Sequence, residues 1–164
     1  MFVEADPYPW PYDGVLAPHR LALVIRGAQR WFYARTAQPD DALGRIARMV
    51  LLLRPMGAAI LAVRHGSDHG HQSRPVLPKI GGADHELIIE PSVADAMIDA
   101  QGMDAFYGSN MDAYLRARGI DTLILVGLGL EGPIHSTMRS ANDRETVSNK
   151  MIPMNFNARF TWPS

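Results

Sequence analysis

Apolar and polar residues occur along this chain in blocks that predict strands and helices in turn. Continuous apolar runs occupy residues 21–25, 58–63 and 122–126. Such runs are typical of strands that are buried on both faces of a parallel sheet. Shorter apolar runs at 87–89 and 96–98 are further candidate strands.

Helices are predicted between these runs. Pro39 opens the first, with two aspartates in its first turn, where the helix dipole favours negative charge. Ser109 is expected to cap a second helix at the amide of Asp112, and Gly119 to end it. Pro133 suits the first turn of a third, since its missing N–H would be unpaired there. The apolar stripe of the first helix is predicted to contain Leu43, Ile46, Ala47, Val50 and Leu51.

Strands that alternate with helices indicate an α/β protein: a three-layer α/β/α sandwich with a mainly parallel sheet. We expect one domain over residues 1–164. Residues 1–18 are rich in proline and aromatic residues, which predicts an extended arm. The pattern weakens towards the end, where 146–154 is a candidate helix and 156–162 a strand or tail.

Composition and charge exclude several classes of function. The 164 residues include no cysteine, so disulfides, thiolate metal sites and cysteine nucleophiles are excluded. The chain has sixteen basic and seventeen acidic residues. It therefore has no excess of positive charge with which to bind the phosphates of a nucleic acid. No apolar run reaches the roughly 20 residues that span a bilayer. We therefore expect a cytoplasmic protein without nucleic-acid or membrane partners.

Three motifs, in order, carry a resemblance to a known family. Residues 22–32, Ala-Leu-Val-Ile-Arg-Gly-Ala-Gln-Arg-Trp-Phe, resemble the opening "ALLVIDMQ..F" of the isochorismatase-like superfamily of cysteine hydrolases. Residues 98–107 resemble its "(V/I)xK....(A/S)F" segment. Residues 119–127 and 134–144 resemble "GI..LIVxGx.T..CVxxTxRxAxDxGY". The resemblance covers most of residues 7–143 and implies a hydrolase of amides or related small molecules.

The resemblance also implies which residues would be catalytic, and they are missing. The family's aspartate falls on Gly27, its lysine on Ala100 and its cysteine on Pro133. In the family the thiolate attacks a carbonyl, the aspartate acts as base and the lysine is a nearby cation. Proline at the third position also removes the backbone N–H that would help to bind the oxyanion, a donor worth ~3 kcal/mol of barrier.

The chain departs from the family again near its C-terminal end. Members continue from the last motif into another buried strand, a loop and a helix, whereas residue 144 is followed at once by the final segment. The sheet is therefore expected to be short of one strand there. An exposed parallel edge at 122–126 would follow, unless the tail or another subunit covers it.

Two sets of side chains are candidate sites. Asp68 belongs to a histidine-rich stretch after the second strand, and imidazoles with a carboxylate suit a divalent metal ion. A solvated loop or a pocket rim is the structural alternative for this stretch. The possible metal ligands are His65, Asp68 and His71, with His69 beside them, and the candidate pocket residues are Gln29, Phe106, Glu131 and His135.

Three hypotheses about function follow. The leading one is a catalytically degenerate member of the family that acts by binding a small molecule or as a partner in an oligomer, either a homo-oligomer or an assembly with an active homologue. The alternative is a divergent hydrolase of amide bonds, assisted by a metal ion at the histidine-rich stretch. The third is a shortened product of an ordinary hydrolase. No cofactor is expected apart from that possible metal.

Overall fold

The structure is a computed structural model that describes residues 17–68, 77–128, 133–144 and 150–153. Most of the predicted arm at 1–18, and the tail at 156–162, lie outside these residues. The strands are β1 (Leu21–Arg26), β2 (Ala59–His65), β3 (Ala96–Ala100), β4 (Thr122–Gly127) and β5 (Lys150–Pro153). The α-helices are α1 (Arg30–Tyr33), α2 (Pro39–Leu53), α3 (Met111–Ala117) and α4 (His135–Asn142).

The strands form one sheet in the order β3-β2-β1-β4-β5. Each neighbouring pair is parallel, as the continuous apolar runs predict. Every residue of β1 and β4 is buried, because both strands lie inside the sheet with helices over each face. The predicted α/β class and parallel sheet are confirmed.

Two apolar layers, one on each face of the sheet, hold the sandwich together. On one face, Ile46 and Val50 of α2 pack against Leu23 and Ile60 of the strands. On the other face, Leu115 of α3 and other buried residues of α3 and α4 pack against the alternate residues of the same strands. Successive side chains of a strand point to opposite faces, so each central strand contributes to both layers.

The predicted stripe of α2 is partly wrong. The buried residues are spaced three or four positions apart, as one helical face requires, but that face is rotated from the predicted one. Ile46 and Val50 belong to it, whereas Ala47 is exposed and Leu51 is 75% exposed. No helix in the described ranges is both long and apolar enough to cross a membrane.

Two other local predictions need correction. Residues 87–89 are not a strand, and Leu87 forms only an isolated bridge with Gln29. The N-cap of α3 is Asn110, not Ser109. The Ser109 hydroxyl donates to the carbonyl of Ala105 at 2.5 Å and accepts from the amide of Met111 at 3.2 Å. The left-handed residue after α3 is Gly119, as predicted.

The C-terminal segment also differs from the prediction. Residues 150–153 form β5, which pairs with β4 from Thr122 to Leu125, so the predicted helix over 146–154 is wrong at these positions. Strand β4 consequently has a neighbour on both sides. Residues 150–153 thus cover the edge of β4 that a missing strand would leave exposed.

Candidate functional site

The connectivity of the sheet defines where a ligand site is expected. From β1 the chain continues to β2 and β3 on one side, and then crosses to β4 on the other side. In open α/β sheets, ligands bind at the carboxyl ends of the strands where the order reverses in this way. Gly27 follows β1, Ala100 ends β3 and Pro133 follows β4. The three positions to which the sequence resemblance assigns the family's triad therefore lie at the same edge of the sheet.

Gly27 has a backbone that excludes a side chain. Its φ is +62°, in the left-handed region. A Cβ atom at this position would lie 2.7 Å from the carbonyl oxygen of Leu128 and 3.2 Å from the ring of Phe32. A carboxylate at this position would require the backbone after β1 or β4 to move.

Ala100 and Pro133, at the other two positions, are both buried. Ala100 is buried, pairs with His65 across the sheet, and accepts a hydrogen bond from the amide of Gly66 at 3.1 Å. Pro133 is buried and belongs to a π-helical turn that leads into α4. None of the three positions supplies a nucleophile, a base or a cation.

A buried arginine lies next to Gly27. Arg26, the last residue of β1, is fully buried. Its Nη2 donates to the carbonyl of Met103 at 2.7 Å and lies 2.8 Å from Nε2 of His65. Burial lowers the pKa of Arg26 to about 9, an effect that the negative charge of Asp104 partly opposes. The guanidinium therefore remains charged at neutral pH.

His65 is held in one neutral tautomer by its two neighbours. A guanidinium can only donate, so Nε2 of His65 accepts from Arg26. The proton is consequently on Nδ1, which donates to the carbonyl of Gly102 at 2.7 Å. Burial, and then the charge of Arg26, lower the pKa of His65 well below its ordinary value.

The arrangement around His65 does not suit a metal ion. Both of its ring nitrogens have partners, and the guanidinium beside Nε2 would repel a cation. Asp68 is exposed, and His69 and His71 lie outside the described residues. In the described part of the chain, no three histidine or carboxylate side chains come together as a possible metal site.

Gln29 connects segments of the backbone. It is fully buried; its Oε1 accepts from the amide of His65 at 2.8 Å and its Nε2 donates to the carbonyl of the same residue at 3.0 Å. Nε2 also donates to the carbonyl of His85 at 3.0 Å. Strand β1 ends at Arg26. The side-chain amide of Gln29 therefore makes the hydrogen bonds to His65, at the end of β2, that the backbone of a longer β1 would otherwise supply.

Phe106 and His135, two other candidate pocket residues, have surroundings different from those of Gln29. Phe106 is buried in the apolar layer beneath α3 and α4, with the guanidinium of Arg144 4.7 Å from its ring centre. His135 is exposed on the first turn of α4, and Glu131 lies outside the described residues.

Arg26 was not among the residues predicted from the sequence. The available signal was a charged residue that directly extends an apolar strand.

Hydrogen bonds from α4 fix the loop that covers Arg26. Thr137 is buried, and its Oγ1 accepts from the amide of Ala105 at 2.8 Å instead of bonding within its own helix. Ser140 donates to one oxygen of Asp104 at 2.5 Å, and the amide of Phe106 donates to the other at 3.0 Å. The loop after β3 is thereby tied to α4, which begins two residues after Pro133.

We expect Thr137→Val to lower the free energy of unfolding by about 1–3 kcal/mol, because the buried amide of Ala105 would lose its acceptor. The matched control is Thr36→Val. The Thr36 hydroxyl only donates to the carbonyl of Phe32, which also accepts from the amide of Arg35. Urea titration should show the smaller loss in the control, and equal losses in the two variants would contradict this role of Thr137.

We also expect the protein to lose stability as the pH falls below about 6.5, the ordinary pKa of histidine. The pKa of His65 is lowered by burial and by Arg26, and that of His85 is lowered by burial and by Arg64 while Asp99 opposes the shift. The unfolded chain therefore takes up protons that the folded chain does not, and stability falls with pH in this window.

Denaturation midpoints measured between about pH 7.5 and pH 5.5 test this expectation. His65→Gln should flatten the dependence, whereas a substitution of the exposed His135 by glutamine should leave it unchanged. A flat profile for the unsubstituted protein would contradict the buried, neutral state of both histidines.

The fold is an α/β sandwich in which Arg26, Gln29 and His65 lie at the switch point of a parallel sheet. A sequence model described as the isochorismatase domain matches residues 21–146. The chain therefore belongs to the isochorismatase family.

Two curated relatives show how far this similarity extends. The uncharacterized isochorismatase family protein YecD of Escherichia coli O157:H7 is 27% identical over 134 residues, which cover 73% of this chain and 71% of YecD. Ureidoacrylate amidohydrolase RutB of Variovorax paradoxus is 38% identical over 63 residues, or 37% of this chain and 25% of RutB. The second match is thus confined to part of each protein.

Solved structures share the fold. A cysteine hydrolase from Pseudomonas syringae superimposes with a TM-score of 0.69 at 20% identity, over 79% of this chain and 69% of that chain. N-carbamoylsarcosine amidase from Thermoplasma acidophilum gives a TM-score of 0.66 at 24% identity, over 84% and 87% of the two chains. At these identities the comparison shows the common architecture.

Proposed function

We propose that this chain is a non-catalytic member of the isochorismatase family that binds a small molecule in the cleft at the carboxyl edge of its sheet. The observation that carries the proposal is the state of the three triad positions. Gly27 has a backbone that excludes a side chain, Ala100 is buried in the sheet, and Pro133 has neither a thiol nor an amide hydrogen.

The surrounding framework supports binding as the remaining role. The loop after β3 is tied to α4 by Thr137 and Ser140, and Gln29 holds the end of β2. A cleft in which the reacting groups are lost and the supporting hydrogen bonds remain can position a ligand. It lacks an activated nucleophile, which acyl transfer of this kind requires.

The contacts of Thr137, His135 and His65 do not suit a replacement nucleophile or base. Thr137 is buried and its oxygen is bonded to the amide of Ala105. The side chain of His135 is exposed, and His65 is held between Arg26 and Gly102. A hydroxyl nucleophile needs a base within about 3 Å. Ser140 has Asp104 at 2.5 Å, but that carboxylate also accepts from the amide of Phe106, so the pair serves to hold the loop after β3.

Ammonia release tests the proposal. The substrates are ureidoacrylate and N-carbamoylsarcosine, the compounds that give two of the relatives their names. We expect no rate above that of a protein-free sample, with an active family member as the positive control. Turnover that disappears in Glu131→Gln or His135→Gln would contradict the proposal and favour a divergent hydrolase.

A further inference from the structure

Arg26 has more hydrogen-bond donors than its neighbours satisfy. Nη2 donates to the carbonyl of Met103 and to His65. Nε and Nη1 are buried and have no hydrogen-bond partner among the described residues. Buried polar groups in proteins are nearly always bonded, so two unpaired donors on one charged side chain require an explanation.

The charge of Arg26 is also uncompensated by direct contact. Its two bonded partners, a carbonyl oxygen and a neutral imidazole, carry no negative charge. The nearby carboxylate is Asp104, whose oxygens accept from the amide of Phe106 and the hydroxyl of Ser140. The negative charge of Asp104 raises the pKa of Arg26 by electrostatic interaction. A buried cation without a bonded anion is unfavourable, and the addition of one removes that penalty.

The location of Arg26 is that of a ligand-binding group. It ends β1, the strand at which the sheet order reverses, and it is adjacent to Gly27. Alternation along β1 places it on the same face as Ala22 and Val24, the face covered by α3 and α4. Compared with the family's motif, this cleft has lost an aspartate and a lysine and has acquired one cation.

We propose that Arg26 binds the carboxylate of a small, singly charged organic anion through one of its two unpaired donors, Nε or Nη1, which point in different directions. This inference rests on the proposed binding function and specifies its ligand class. A monoanion neutralises the single guanidinium, whereas a phosphate dianion would leave a second negative charge buried and unpaired. Hydrogen bonds from a guanidinium to a carboxylate are also short and strong.

The test uses acetate and benzoate as monocarboxylates and inorganic phosphate as the dianion, at constant ionic strength. Binding is followed by ligand-detected NMR and by thermal shift. We expect saturable binding of at least one monocarboxylate. It should weaken by at least about tenfold in Arg26→Met, a loss of about 1.4 kcal/mol. The control, Arg64→Lys, changes an arginine on β2 that is paired with Asp99, and should leave binding unchanged.

A direct measurement on the unsubstituted protein covers the case in which Arg26→Met does not fold. With nitrogen-15-labelled arginine, benzoate or acetate should shift one buried Nε–H resonance. The inference is overturned if neither carboxylate binds, if Arg26→Met binds as the unsubstituted protein does, or if phosphate binds more tightly. The ammonia assay measures hydrolysis and the experiments here measure carboxylate binding. The inference about Arg26 can therefore fail while the proposal of a non-catalytic protein still stands.

Discussion

Gln29→Glu is expected to lower the free energy of unfolding by about 3–5 kcal/mol at neutral pH. One glutamate oxygen could still accept from the amide of His65. The other would replace Nε2, which donates to the carbonyls of His65 and His85, so a carboxylate would face two carbonyl oxygens. Because the residue is fully buried, water cannot relieve this repulsion. Urea denaturation measures the loss.

The control for Gln29→Glu is Gln101→Glu, which makes the same change at an exposed position on the loop after β3. It should alter stability by less than about 0.5 kcal/mol. The loss in Gln29→Glu should become smaller at acid pH, where the carboxyl group takes up a proton and can donate. A loss below about 1 kcal/mol at neutral pH would show that the amide does not connect these segments as described.

Gly27→Asp, which restores the family's residue, is expected to cost about 2–5 kcal/mol. A left-handed φ costs a non-glycine residue roughly 1–2 kcal/mol, and forcing a group into a packed site adds typically 1–3 kcal/mol. The second contribution follows from the distance of 2.7 Å between a Cβ at this position and the carbonyl oxygen of Leu128.

Gly119→Asp separates these two contributions. Gly119 has the same φ of +62°, but a Cβ there has no atom within 4 Å. The difference between the two variants in chemical denaturation should therefore be about 1–3 kcal/mol, the cost of the close contact alone. Equal losses would mean that the backbone at Gly27 accommodates a side chain and that the triad position is not closed.

The central strands could be predicted because burial on both faces leaves a continuous apolar run, as in β1 and β4. Strand β5 could not be predicted in this way. Lys150 and Pro153 are unusual strand residues, and the pairing of this segment with β4 is a contact between distant parts of the chain. In α2, the rotation of the buried face depends on packing against the sheet, which explains the exposed Leu51.

The resemblance assigned the triad positions to Gly27, Ala100 and Pro133, and the structure places these residues at the carboxyl ends of β1, β3 and β4. Whether they form a functional site stays a prediction. The motifs contain no residue equivalent to a buried Arg26. The pairing of His65 with that arginine joins the ends of two strands, and residues 39 positions apart give no local signal of such a contact.

Time-resolved carbon-13 NMR of N-carbamoylsarcosine with the protein tests the account most directly, since this compound carries both a carboxylate and an amide that hydrolysis would cleave. We predict that its carboxylate resonance broadens with the unsubstituted protein and not with Arg26→Met, and that no sarcosine forms. Sarcosine that accumulates at a rate proportional to the protein concentration would contradict the claim that this cleft binds without catalysis.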